Sequence, residues 1–177
     1  MAKLLNISSR IGLSIIFNLQ IINMHDHSKL IESFFKAFSE LDFNTMKTLA
    51  KSSIVYYDPL YGYLNDADVF LMWESRYGQD GFSLKYTDAK DEGDGYFTVK
   101  IEVVYLQKKA ISQQMKAFIR IENGLISEYS HGFSVHQLCK QEYGLIGILL
   151  GWNRLIQQRI KNDARRELLA YKSELIN

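Results

Sequence analysis

The chain has 177 residues, with 21 Lys and Arg against 20 Asp and Glu, so its net charge of +1 gives no field to draw it to nucleic acid or anionic lipid. At 47% hydrophobic and 23% charged it reads as an ordinary soluble globule, long enough for one domain that buries roughly two-thirds of its unfolded surface. Cys139 is the only cysteine, which excludes an intrachain disulfide and makes a reducing compartment, the cytoplasm, the default.

Lys3 and Arg10 precede an apolar stretch from Ile11 to Ile22 that Asn18 and Gln20 interrupt. It falls short of the roughly 20 apolar residues a spanning helix needs. No small-x-small site follows it, as a cleaved signal would require. The favoured reading of residues 1–27 is an over-extended start, with translation beginning at Met24, or a loosely ordered arm.

From Ser28, a candidate cap, the spacing is helical: Leu30, Ile31, Phe34, Phe35, Phe38 and Leu41 form one apolar stripe. Asp42 reads as the N-cap of a second, short helix carrying Phe43, Met46, Leu49 and Ala50. "SSIVYYDP" is a short strand closed by a turn at Pro59. "NDADVFLMWESRYG" is a third helix, capped at Asn65 or Asp66, burying Val69, Phe70, Met72 and Trp73 and stopping at Gly78.

After Gly81 the period changes to two. "FSLKYTDA", "GYFTVKIEVVYLQ", "ISQQMKAFIRIE" and "LISEYSHGFSVHQL" are four strand-like segments with tight connections. Asn123-Gly124 supplies the two positive φ values of a type I′ hairpin. Residues 136–174 return to helical spacing, and helices set before a meander rather than between its strands mean α+β.

Within that last part, Gly144 to Trp152 carries no charge and is less than half a membrane crossing. Gly144, Gly147 and Gly151 weaken a helix by about 1 kcal/mol each unless close packing uses them. The segment is expected to bend over the open end of the sheet as a lid, with Leu145, Ile146, Leu149 and Trp152 facing inward. Leu155, Ile156, Ile160, Ala164, Leu168 and Tyr171 form the buried face of a basic amphipathic helix behind it. Docking of this Trp-flanked run and its basic helix on a membrane surface is the less favoured alternative.

The order of these motifs resembles the opening of the nuclear-transport-factor-2-like superfamily, in its SnoaL-like, ketosteroid-isomerase-like branch. The shared features are an aromatic first helix (Phe34, Phe35, Phe38), Asp42 starting the second, Asp58-Pro59 closing a strand, then Gly62 and Trp73. The run from His131 to Tyr171 is also similar to a C-terminal extension of one subgroup, with its Gly-Trp pair and Ala-Arg-Arg helix. The resemblance implies a cone over residues 28–138, three helices on a curved antiparallel sheet around an apolar pocket, with 139–177 packed on the same domain. It also implies a homodimer through the exposed sheet face and a hydrophobic small molecule as the partner.

In the ketosteroid isomerases of that superfamily the Asp before Pro is the general base, which puts Asp58 in that role. The tyrosine donor's position falls on Phe34, which has no hydroxyl, and the protonated-acid donor's on Lys116, so steroid-isomerase activity itself is not implied. The candidates for acid–base work are Asp58, Lys116 and His131, with Phe34, Phe38, Tyr56, Tyr61, Trp73, Phe118 and Trp152 lining the pocket. Two alternatives stand beside this set. Asp58 can simply cap its own turn, and strand alternation with Met115, Ala117, Ile119 and Ile121 inward turns Lys116, Phe118 and Arg120 outward. His136 reads as the start of the C-terminal helix. His25 and His27 lack further ligands, and no cofactor, phosphate or metal motif is present, so none is expected.

Overall fold

The computed structural model describes residues 26–78, 80–106, 110–150 and 152–175. The N-terminal leader lies outside them, except that 26 and 27 already belong to the first helix. That helix, α1 (26–39), buries Ile31, Phe34, Phe35 and Phe38 along the stripe expected for it. Because it begins ahead of Ser28, that serine sits in the first turn instead of capping it. The chain reverses at Leu41, whose φ is +57°, and the Asp42 carboxylate then accepts the Thr45 N–H at 2.9 Å to cap α2 (Phe43–Leu49).

The chain passes from α2 straight into β1 (Ala50–Asp58), so Ala50 opens a strand rather than closing a helix. A short strand the sequence did not suggest, β2 (Gly62–Asn65), returns antiparallel to it. Next comes α3 (Ala67–Tyr77), which ends where the Gly78 N–H reaches the Glu74 carbonyl at 2.9 Å.

The meander consists of β3 (Ser83–Tyr86), β4 (Lys90–Gly93), β5 (Tyr96–Leu106), β6 (Ala110–Glu122) and β7 (Leu125–Gly132). Asn123 and Gly124 join β6 to β7 with φ values of +54° and +74°. Among the described residues the curved sheet runs β2-β1-β7-β6-β5-β3, with β4 also on β5. Every pairing is antiparallel but one: β1 lies parallel to β7, setting Tyr56 beside Tyr129 and Tyr57 beside Ser130. That contact makes neighbours of two segments some seventy residues apart in sequence. The inward residues of β5 and β6, from Phe97 to Tyr105 and from Ile111 to Ile121, meet α1 and α3 in one core.

The strand β7 stops at Gly132, short of the expected end at Leu138, because Ser134 caps a new helix, α4 (Val135–Tyr143). Beyond Lys116 the β6 edge therefore has no β7 neighbour. There the Gln141 amide bonds both the N–H and the carbonyl of Ser112, at 3.1 and 2.6 Å. The next helix, α5 (Leu145–Leu150), crosses α4 so closely that a Cβ on Gly147 would stand 2.0 Å from the Cys139 carbonyl oxygen. The glycine is used for close packing as expected, but against a helix and not against the sheet. The lid reading fails for Leu145 and Trp152, which are 79% and 76% exposed. The side chains of Ile146 and Leu149 lie outside the described ones.

The last helix, α6 (Arg154–Glu174), buries Ile160, Ala164 and Leu168 and packs on α3. Lys172 pairs with Asp68 at 2.6 Å, and Arg165 donates from Nε and Nη2 to the Tyr61 carbonyl at 3.0 and 2.8 Å. The C-terminal amphipath thus braces the turn that follows Asp58. Among the described residues no helix is long and apolar enough to cross a membrane.

Candidate functional site

Alternation along β1 turns Ile54, Tyr56 and Asp58 inward and Tyr57 outward. Asp58 is 2% exposed. Its Oδ1 accepts the N–H groups of Leu60 (2.8 Å) and Tyr61 (2.6 Å), and its Oδ2 accepts the Tyr56 hydroxyl at 2.8 Å. So Asp58 caps its own turn and also belongs to an interior network. A carboxylate offers about four acceptor positions, and three are filled, which leaves one on Oδ2. Burial raises its pKa above the ordinary carboxylate value. The hydrogen bonds from Tyr61, Tyr56 and Leu60 and the charge of Arg76 oppose that rise without cancelling it.

The parallel neighbour β7 turns Tyr129 and His131 inward beside Tyr56. The His131 ring sits between two hydroxyls, with Nδ1 at 3.1 Å from the Tyr56 oxygen and Nε2 at 2.7 Å from that of Tyr129. Burial, and after it the positive charge of Arg76, hold this imidazole neutral, with its pKa pushed down to about 3. Tyr56 has one proton and gives it to Asp58, so it can only accept from His131. This fixes the tautomer: Nδ1–H donates to Tyr56, and bare Nε2 accepts from Tyr129. A proton arriving on Asp58 lets every bond in the row reverse, from Asp58 to Tyr56, to His131, to Tyr129. The four groups form a relay that can take up a proton at one end and present one at the other.

A second polar group enters from α3, where Val69, Met72, Trp73 and Arg76 make one buried stripe. Arg76 is 7% exposed; its Nη2 donates to the Tyr105 hydroxyl at 2.6 Å, which donates on to Gln113 Oε1 at 3.2 Å. The guanidinium lies 4.8 Å from the Tyr105 ring centroid and 5.8 Å from that of Tyr61. Burial works against its charge, but Tyr105, Tyr61 and Tyr77 outweigh that and hold it well above the ordinary arginine value.

Both groups are wrapped in rings. Trp73 has Phe34 and Phe38 at 5.7 Å, Tyr56 at 5.8 Å and Tyr129 at 5.3 Å between centroids. Its indole Nε1 is buried and has no hydrogen-bond partner among the described residues.

The structure therefore brings Asp58, His131, Phe34, Phe38, Tyr56, Tyr61 and Trp73 into one buried interior. Three predicted residues are elsewhere. On β6, Ile111, Gln113, Met115, Ala117 and Ile119 point inward, so Lys116 and Phe118 point out. Lys116 Nζ lies 5.2 Å from the Phe118 ring, in an open groove of about 450 Å³ shared with Lys85 and Lys100. Trp152 is out in solvent with its ring 4.3 Å from that of His136, which lies in α4. His25 is outside the described residues, and His27 meets Phe97 edge-on at 5.7 Å.

Sequence reasoning missed Arg76, Tyr105, Gln113 and Tyr129, although the signals were present. Arg76 falls on the apolar stripe of α3, Gln113 on the inward register of Met115 and Ala117, and Tyr105 on that of Ile101 and Val103.

No protein-family model matches the sequence, and no curated protein does either. Solved structures do match in shape. An LEH-like epoxide hydrolase from M. tuberculosis superposes with a TM-score of 0.58 at 15% identity, over 72% of this chain and 97% of that one. An NTF2-like protein of unknown function from Cytophaga hutchinsonii gives 0.53 at 16%, over 63% and 93%. A protein with a ketosteroid isomerase-like fold from Catenulispora acidiphila, in complex with trimethylamine, gives 0.53 at 13%, over 63% and 90%. Identities this low speak for architecture alone, and the architecture agrees with the element order and pairing described above: the chain has the nuclear-transport-factor-2-like fold.

Proposed function

We propose that the protein binds a hydrophobic small molecule within the cone and that Asp58 moves a proton on it, as an isomerase- or hydrolase-like acid–base catalyst. The observation that carries this reading is the buried row Asp58–Tyr56–His131–Tyr129, a continuous hydrogen-bonded chain in an aromatic interior. The free position on Oδ2 takes a proton from a carbon beside a carbonyl, or from a water attacking an electrophilic carbon. In the first case, on a β,γ-unsaturated ketone, the C–H pair forms a dienolate, and the proton returns from Asp58 to the γ carbon as the carbonyl re-forms and the double bond moves into conjugation; in the second, the carbon's bond to the leaving oxygen breaks and that oxygen takes the proton. Burial strengthens Asp58 as a base by raising its pKa. The unpartnered Trp73 N–H is the donor at hand for the oxygen where charge develops. Lys116 has no part in this, because it faces the other side of the sheet. Relatives in shape that carry hydrolase and isomerase names, and one holding a small molecule, support a ligand-binding cone by analogy of fold.

The sequence contains two tryptophans, Trp73 inside and Trp152 outside, which supplies the test. In a Trp152→Phe variant the remaining emission comes from Trp73. Titration with a bicyclic ketone such as 2-decalone is expected to change it saturably, and Asp58→Asn is expected to keep that binding. Emission that stays constant up to the solubility limit contradicts the reading.

A second reading has its own observation. Leu145, Trp152 and Leu155 are 79%, 76% and 79% exposed beside Arg154 and Arg159, a pattern that suits a membrane surface or a second copy of the chain. Flotation with anionic liposomes, comparing the full chain with Trp152→Ser/Leu155→Ser, separates it from the first: equal behaviour rules out membrane docking.

A further inference from the structure

We infer that Arg76 is the anchor for a carboxylate on the ligand, so that the molecule taken into the cone is a hydrophobic monoanion. This rests on the pocket reading above and adds the chemical class of what the pocket holds.

Arg76 carries a permanent charge at 7% exposure, and among the described residues it makes no ion pair. The carboxylates that do pair, such as Glu74, Glu122 and Asp68, lie toward the outside with surface lysines and arginines. Three elements face the guanidinium. Tyr61 comes from the turn after β1, Tyr105 from β5 with Gln113 of β6 behind it, and Tyr77 from α3 itself. All are neutral at pH 7. Tyrosine oxygens and ring faces soften the charge, and so does the negative end of α3, in whose last turn Arg76 sits. None of them neutralises it, and a buried charge ordinarily has an opposite one in contact. Asp58, whose carboxylate feels the Arg76 charge, spends its oxygens on two backbone N–H groups and Tyr56, and Glu167 of α6 acts on Tyr61.

A guanidinium has five donors in a planar fork that matches a carboxylate; the Tyr105 hydroxyl takes one at 2.6 Å, and the Tyr61 ring lies 5.8 Å away. Asp58 is committed to its own turn and to Tyr56, so the contact the Arg76 fork still lacks is one negative charge on an apolar body; a dianion would crowd further negative charge against Asp58. Tyr61 links this anchor to the chemistry, because its backbone N–H bonds Asp58 while its ring lies under Arg76. A carboxylate seated on Arg76 therefore places the adjoining carbons beside Asp58. Its negative charge also raises the pKa of Asp58 further and makes it a stronger base.

Calorimetry at pH 8 with 2-naphthoate and with the uncharged 2-naphthylmethanol tests the assignment. Wild type is expected to bind the carboxylate at least tenfold more tightly than the alcohol. Arg76→Gln is expected to lose that preference while still binding the alcohol, and Arg76→Lys to keep part of it. Should wild type bind the two equally, or prefer the alcohol, the anion anchor is overturned while the pocket reading stands. If it binds neither, both fall. Because the wild-type ratio alone decides the matter, a variant that does not fold leaves the result intact.

Discussion

At the scale of single residues, the site is a question of where protons sit. Tyr56 is the joint of the relay, since its hydroxyl serves Asp58 and His131 at once. Tyr56→Phe keeps the ring packing but leaves a buried N–H and a buried carboxylate oxygen each short of a partner. The expected cost is about 2–4 kcal/mol in urea unfolding, well beyond an ordinary lost hydrogen bond. His131 gives a pH signature. It titrates near 6.5 in the unfolded chain but only at about 3 when folded, so the unfolded state binds the extra proton between those values. Its contribution is whole above pH 6.5 and is lost as pH falls toward 3, by up to roughly 5 kcal/mol. Asp58, with its pKa raised, works the other way: the folded state holds its proton more readily, so its contribution falls as pH rises. Urea midpoints between pH 7 and 4 are expected to drop less steeply in His131→Gln than in wild type; equal slopes would show that the imidazole titrates normally. ¹⁵N shifts of the ring are expected to report a neutral imidazole throughout that range.

At the scale of elements, α5 depends on one missing side chain. Gly147→Ala forces a methyl against the Cys139 carbonyl, and the packing of α5 on α4 has to yield. A loss on the order of 1–3 kcal/mol is expected by thermal or urea unfolding, with the Asp58 row untouched. What the sequence made legible follows the same logic of packing. Elements that bury a repeating face were readable: the α1 stripe, the Asn123-Gly124 hairpin and the alternation of β5 and β6. The strands β2 and β4 were not, because "GYLN" and "KDEG" are four residues each, with half or all of their side chains exposed. Their conformation comes from backbone pairing with β1 and β5, which leaves no mark on residue type. Lys116 shows two kinds of inference in conflict: position counted from a resemblance put it inside, alternation put it outside, and pleat geometry prevailed. The expectation that apolar residues are covered makes Trp152 part of a lid, yet the close approach at Gly147 is spent on α4 and the tryptophan stands in solvent.

At the scale of the whole molecule, the parallel contact of β1 with β7 assembles the site, and α6 braces its turn through Arg165. The outer sheet face carries Phe118, Tyr96 and a row of charges, and pairing of two copies through it is our expectation for the oligomer. Sedimentation should show a dimer that Phe118→Asp dissociates. The central claim is that the buried row moves a proton on a bound ligand, and deuterium wash-in tests it most directly. Wild-type protein and 2-decalone in D2O, followed by proton NMR, are expected to show exchange beside the carbonyl well above the buffer rate. Asp58→Asn is expected to lower that exchange at least a hundredfold while still binding the ketone, and Lys116→Ala to leave it unchanged. Exchange at the buffer rate in wild type, or an undiminished rate in Asp58→Asn, would contradict the account.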